Sequence, residues 1–184
     1  MWFLKRLALC APLLLLGAIV VGLPANVAFG EPDRNEFNAL FLGVNETPSI
    51  STDATATLKV RINGSGDSAT ITYTLTYSGL RAPVTQSHIH FAQARVAGGI
   101  MVFLCSNLGN GPAGTPACPQ SGTVSRTLSA ADVVGPVPQG IAAGEMARVV
   151  RAIRDGAAYG NVHSTQFPSG EIRGQLRAGD FDRD

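Results

Sequence analysis

Tyr159-Gly160-Asn161-Val162-His163-Ser164-Thr165-Gln166-Phe167-Pro168-Ser169-Gly170-Glu171-Ile172-Arg173-Gly174-Gln175-Leu176 reads as two strands joined by a polar turn. Side chains alternate along a strand with period two, so Tyr159, Asn161 and His163 share one face. Glu171, Arg173 and Gln175 share the matching face of the return strand, while Val162, Ile172 and Leu176 supply an apolar opposite face. Such a hairpin turns one side to a core and gathers hydrogen-bonding groups on the other. Pairing Ser164 with Gly170 sets His163 opposite Glu171 and Asn161 opposite Arg173. That register predicts charge-assisted hydrogen bonds across the sheet, a structural polar network.

The same alternation runs upstream. Residues 38–44 read as a first strand, stopped by Asn45-Glu46-Thr47-Pro48. Residues 54–62 and 69–77 flank the turn Asn63-Gly64-Ser65-Gly66-Asp67 and form the clearest hairpin, with Leu58, Val60, Ile62, Ile71, Tyr73, Leu75 and Tyr77 on its apolar side. Residues 84–91 follow, with His88 and His90 of one parity and Ile89 and Phe91 of the other. Ile100-Met101-Val102-Phe103-Leu104 is a continuous apolar run, the pattern of a deeply placed strand, and residues 122–128 form another short strand. Ser129-Ala130-Ala131-Asp132 predicts a capped helical turn. Met146, Val149, Val150 and Ile153 predict one helix over 143–155, with Arg148, Arg151 and Arg154 on its solvated face. The fold expected is mainly β: an antiparallel β-sandwich, layered like immunoglobulin or superoxide dismutase domains, with one crossover α-helix.

Residues 1–30 have the form of an address. Lys5 and Arg6 precede an apolar run over 7–22, Pro24 breaks it, and Ala28-Phe29-Gly30 offers small residues for cleavage. This predicts a secretory signal peptide, cleaved after residue 30, in preference to a retained membrane anchor or a lipoprotein at Cys10. A lead over 31–37, one domain over 38–177 and a flexible tail over 178–184 complete the organisation, with no membrane span after cleavage.

Cleavage removes two of 14 basic residues and none of 13 acidic ones, so the mature charge is 12 − 13 = −1. That balance excludes a nucleic-acid partner, which requires a basic stripe. Cys10 leaves with the signal, and Cys105 and Cys118 remain as an even pair around a Gly/Pro-rich loop. A structural disulfide follows, in keeping with an extracytoplasmic location at a periplasm, at a cell surface or outside the cell.

Taken together, His88-Ile89-His90, residues 159–163 and 170–175, and Phe41-Leu42-Gly43-Val44-Asn45-Glu46-Thr47-Pro48 resemble the CHRD domain, a family named after the chordin proteins and found in bacterial secreted proteins. The resemblance spans about residues 38–176. Phe91-Ala92 departs from the Gly-Pro that often follows the histidine pair, and Gly160 and Ser164 stand where Val and Thr are usual. The family implies an extracellular module and brings no catalytic residues.

All three histidines lie in these family-like segments. His88 and His90 point the same way from one strand, and His163 completes a three-nitrogen set suited to copper or zinc. The His-x-His strand is similar to the copper-binding strand of copper-zinc superoxide dismutases, an analogy of fold and motif alone. The competing reading makes the histidines structural members of the network of Tyr159, Asn161, Glu171, Arg173 and Gln175, and this reading is preferred at the level of sequence. Ser87 and Ser164 adjoin histidines, but strand neighbours face opposite ways, so no nucleophile–base pair forms. Phosphate-loop, dinucleotide and zinc-protease motifs are absent from the sequence. The expected function is a secreted, non-enzymatic module for an unknown protein or surface ligand, with an extracytoplasmic metal-binding protein as the alternative.

Overall fold

The computed structural model describes residues 35–179. The expected signal peptide, most of the lead and the end of the tail lie outside the described residues. Nine strands follow in chain order: β1 (Glu36–Leu42), β2 (Thr55–Asn63), β3 (Thr70–Ser78), β4 (Val84–Phe91), β5 (Gly99–Ser106), β6 (Gly122–Leu128), β7 (Ala158–Ser164), β8 (Ile172–Gln175) and β9 (Arg177–Ala178). They form one sheet in the order β5-β4-β7-β8-β1-β2-β3-β6, with β9 beside β1. Every strand pairing is antiparallel. The expected mainly β, antiparallel architecture is present; the layers arise from one sheet that curls into a nearly closed, sandwich-like barrel.

The alternating strands dictate what fills it. Phe41, Leu58, Ile71, Leu75, Ile89, Leu104, Leu128, Val162 and Ile172 are all fully buried in one core. The edge strands β5 and β6 approach each other without pairing in register. Tyr73 on β3 donates its hydroxyl to the Leu104 carbonyl on β5, tying the two sides across the interior. The Cys105–Cys118 disulfide fastens the end of β5 to the segment leading into β6.

Among the described residues one α-helix, α1 (Met146–Arg154), packs Met146, Val149, Val150 and Ile153 into the same core. It is shorter than the 143–155 expected. Gly144 has φ +87° and Glu145 is non-helical, so the chain enters the helix only at Met146, and Gly156 at φ +70° ends it. Asp67 in the β2–β3 turn accepts the Ala147 N–H at 2.9 Å, fixing the helix start over that end of the barrel. Strand β1 ends at Leu42 rather than Val44. The Gly43 carbonyl accepts N–H groups from Glu46 and Ile50, and a side chain on Gly43 would meet the Ile50 carbonyl at 2.3 Å. Ser129 and Asp132 form the expected reciprocal cap of a single turn.

Among the described residues no helix is long and apolar enough to cross a membrane.

Candidate metal centre

β4, β7 and β8 lie side by side, and their pairings build the polar face from backbone register alone. His88 pairs with Asn161, His90 with Tyr159, Asn161 with Arg173 and Tyr159 with Gln175. The face turned away from these groups is core. A side chain on Gly160 would meet the Phe41 ring at 2.3 Å, and one on Gly174 would meet the same ring at 2.6 Å. These paired glycines let Phe41 lie flat against the inside of the sheet while their neighbours Tyr159, Asn161, Arg173 and Gln175 project outward.

Loops roof the outward face. Gln175 donates to the Ala92 carbonyl at 3.0 Å, and Arg173 to the Gln93 and Val96 carbonyls, bringing the β4–β5 connection over the histidines. The β7–β8 turn folds back so that Pro168 presents its carbonyl to His163. As a result His88, His90 and His163 are only 0%, 7% and 5% exposed, although they stand on the outer face.

One nitrogen of each histidine lies within 4.8 Å of the others. An ion with bonds of ~2.0 Å holds three donors about 3.3–3.5 Å apart, so a contraction of up to about 1.5 Å closes the set. The outer nitrogens are already committed. His90 Nδ1 donates to the Gly98 carbonyl at 2.9 Å, and His163 Nδ1 donates to the Pro168 carbonyl at 2.9 Å. Both therefore direct an Nε2 lone pair inward, the arrangement in which a metal-binding imidazole is oriented by a backbone acceptor. The His163 Nε2 lone pair faces His88 Nδ1 at 3.1 Å, which makes His88 the donor there. Its own Nε2 is then a buried acceptor without a partner. The His90 lone pair faces Asn161 Oδ1 at 3.1 Å, acceptor against acceptor until the carboxamide turns or a cation intervenes.

Positive charge is poorly tolerated on the rings themselves. Burial holds His90 and His163 down to about 4, and burial together with the other two imidazoles holds His88 lower still. The cluster is neutral at physiological pH. Aromatic neighbours enclose it: the His88 ring meets the edge of Phe103 at 4.5 Å, and His90 stacks on Tyr159 at 4.8 Å with 6° between planes. The Arg173 guanidinium lies 3.3 Å over the Tyr159 ring.

Tyr159, Asn161, Arg173 and Gln175 thus join the three histidines as the alternation implies. Two expectations change. Arg173 sends its guanidinium to loop carbonyls, Thr47 and the Tyr159 ring, with no hydrogen bond to Asn161. Glu171 does not bond His163. Gly170 at φ +126° places Glu171 just outside β8, and its carboxylate accepts from Ser164 Oγ at 2.6 Å, Thr52 Oγ1 at 2.9 Å and the Arg81 N–H at 2.9 Å. Ser164 is thereby committed to Glu171, and Ser87 donates to the Asn161 carbonyl at 2.6 Å, so neither serine is available as a nucleophile.

Glu46 is the member of the site not anticipated from the sequence. Its carboxyl is buried against Gly170, beside the Asn161 amide nitrogen. Burial pushes it up to about 7, against the Thr47 N–H, the Arg173 charge and the Asn161 amide, which hold it down. Its only sequence signal was the Glu-x-Pro turn.

Comparison with curated proteins and with solved structures returned no match. The model of the CHRD domain matches residues 37–176, which runs from the second residue of β1 through β8 and takes in the disulfide and all three histidines. The loop-roofed polar face is therefore part of the domain itself, and the chain belongs to the CHRD domain family.

Proposed function

We propose that this chain is an exported CHRD-domain protein that holds a transition-metal ion, copper or zinc, on His88, His90 and His163. The observation that carries this reading is the pair of backbone carbonyls, Gly98 and Pro168, that take the Nδ1–H groups of His90 and His163 and leave both Nε2 lone pairs inside a set whose nitrogens lie within 4.8 Å of one another. Three buried neutral imidazoles share a single inward proton, that of His88 Nδ1, and the His88 Nε2 lone pair has no partner, a deficit that a cation fills. Export is supported by the basic–apolar–small pattern of residues 1–30 and by the disulfide, which suits an oxidising compartment. The protein acts as a binding module for a protein or surface ligand, with the ion as cofactor or cargo.

Metal analysis of untagged protein, followed by titration with copper in both oxidation states and with Zn(II), tests the site. One equivalent is expected in the wild type, and loss of tight uptake in His88→Ala and His163→Ala. Unchanged uptake in both variants would overturn it. N-terminal sequencing of protein recovered from outside the cytoplasm is expected to begin at Glu31; a chain beginning at Met1 would overturn the cleaved signal.

The 3.1 Å His88–His163 contact favours a second reading, a hydrogen-bonded cluster that holds only itself together. It predicts no metal uptake at all, with His88→Ala simply destabilising the fold.

A further inference from the structure

We infer that the three-histidine site is built for a monovalent ion, copper(I), rather than for a divalent one. The inference rests on the metal-binding reading and adds the charge and oxidation state of the ion.

Every donor in the set is neutral. Neither nearby carboxylate joins it: Glu171 accepts from Ser164, Thr52 and Arg81, and Asn161 stands between Glu46 and His90. An ion bound here therefore keeps its full charge in a site that water hardly reaches. The cost of burying an uncompensated charge rises with the square of that charge, so the second positive charge of a divalent ion is the expensive one.

A fixed cation sharpens the discrimination. Arg173 is 2% exposed and held by the Gln93 and Val96 carbonyls. It lies against Tyr159, which is stacked on His90, so a permanent positive charge sits one ring away from a ligand. Its repulsion acts twice as strongly on a dication as on a monocation at the same place.

Coordination number points the same way. Zinc favours four donors, usually completing a three-residue set with water. Here Phe103 and Tyr159 wall the imidazoles and two loops cover them. Copper(I) is satisfied by two or three neutral nitrogens and needs no water.

The test titrates untagged exported protein, without oxygen, with Cu(I) held by ascorbate against bicinchoninate, with Ag(I) as a redox-inert monovalent probe, and with Zn(II). A solvent-exposed three-histidine peptide provides the reference. The preference for the monovalent ions over Zn(II) is expected to exceed that of the peptide by on the order of 100-fold. Arg173→Gln is expected to narrow the gap about tenfold, and Arg173→Lys, which retains the charge, to preserve it. A wild-type gap no larger than the peptide's overturns the inference, as does a gap that Arg173→Gln leaves unmoved while its circular dichroism remains native. If that variant does not fold, the wild-type comparison still decides. Failure of both charge classes to bind overturns the metal reading itself; tight Zn(II) binding overturns only the preference for copper(I).

Discussion

His88 Nδ1 lies 3.1 Å from His163 Nε2, and the proton between them belongs to His88 because the His163 proton sits on Nδ1, which donates to the Pro168 carbonyl. One backbone carbonyl, on a turn five residues beyond His163, thus sets the tautomers of two rings on two different strands. It leaves the His88 Nε2 lone pair buried and unpartnered.

Acid is expected to unfold the metal-free protein through these rings. Unfolded histidines take protons below the ordinary value of 6.5, whereas the folded His90 and His163 refuse them until about 4 and His88 beyond that. The unfolded state then binds more protons, so stability is full above pH 6.5 and falls as pH drops toward 4, by up to about 4 kcal/mol per pH unit for three sites. Urea midpoints measured from pH 8 to pH 4 check this. A flat profile would mean the rings are solvated.

Glu46 acts with the opposite sign. Its folded carboxyl titrates at about 7 against an ordinary 4.5, so the folded state holds a proton that the unfolded state has lost, and stability declines as pH rises through that window. Glu46→Gln is expected to be more stable than wild type at pH 8 by about 1–3 kcal/mol, and indistinguishable from it near pH 4. Chemical denaturation at the two pH values measures the difference.

Gly160→Ala is expected to cost about 1–3 kcal/mol, because the new methyl meets the Phe41 ring at 2.3 Å. A smaller residue at 41 makes room for it, so the Phe41→Leu/Gly160→Ala double variant should lose less than the sum of the two single changes. Strict additivity would show that the clash is relieved elsewhere.

Glu171→Ala removes the acceptor of the Ser164 and Thr52 hydroxyls and the Arg81 N–H. A loss of roughly 2–4 kcal/mol is expected from stranding these groups. Metal uptake by the folded variant should be unchanged, since the carboxylate makes no contact with His163. A large change in affinity would place Glu171 in the site after all.

Breaking Cys105–Cys118 by double substitution to serine is expected to cost about 3 kcal/mol, as for closure of a loop of this length. Intact-mass alkylation should find no free thiol at these positions before reduction and two afterwards.

Much of this could be read directly from residue order. Alternation places each side chain on one of two faces, and that is a property of the strand itself. It put His88 with His90, and Tyr159 with Asn161 and His163, and it assigned Val162, Ile172 and Leu176 to the core. The register Asn161–Arg173 followed once Ser164 was set opposite Gly170. The disulfide followed from having only two cysteines in the expected mature chain.

Alternation cannot say what covers a face. The polar side of the β7–β8 hairpin carries no sign of what lies over it; the β4–β5 and β7–β8 connections bury it, and carbonyls from Gly98, Pro168, Gln93 and Val96 become its hydrogen-bond acceptors. Backbone carbonyls leave no mark in the sequence. The displacement of Glu171 depends on the φ of Gly170, and the placement of Glu46 depends on a turn that follows β1.

The sequence by itself determined the strands, their two faces, the cysteine pair and the family, because these rest on local periodicity and residue identity. Only the tertiary structure decided that three histidines converge within 4.8 Å, neutral and roofed, with Arg173 one ring away. Charge, tautomer and burial are set by groups distant in the chain, and they come together only when the sheet curls and its loops close over it.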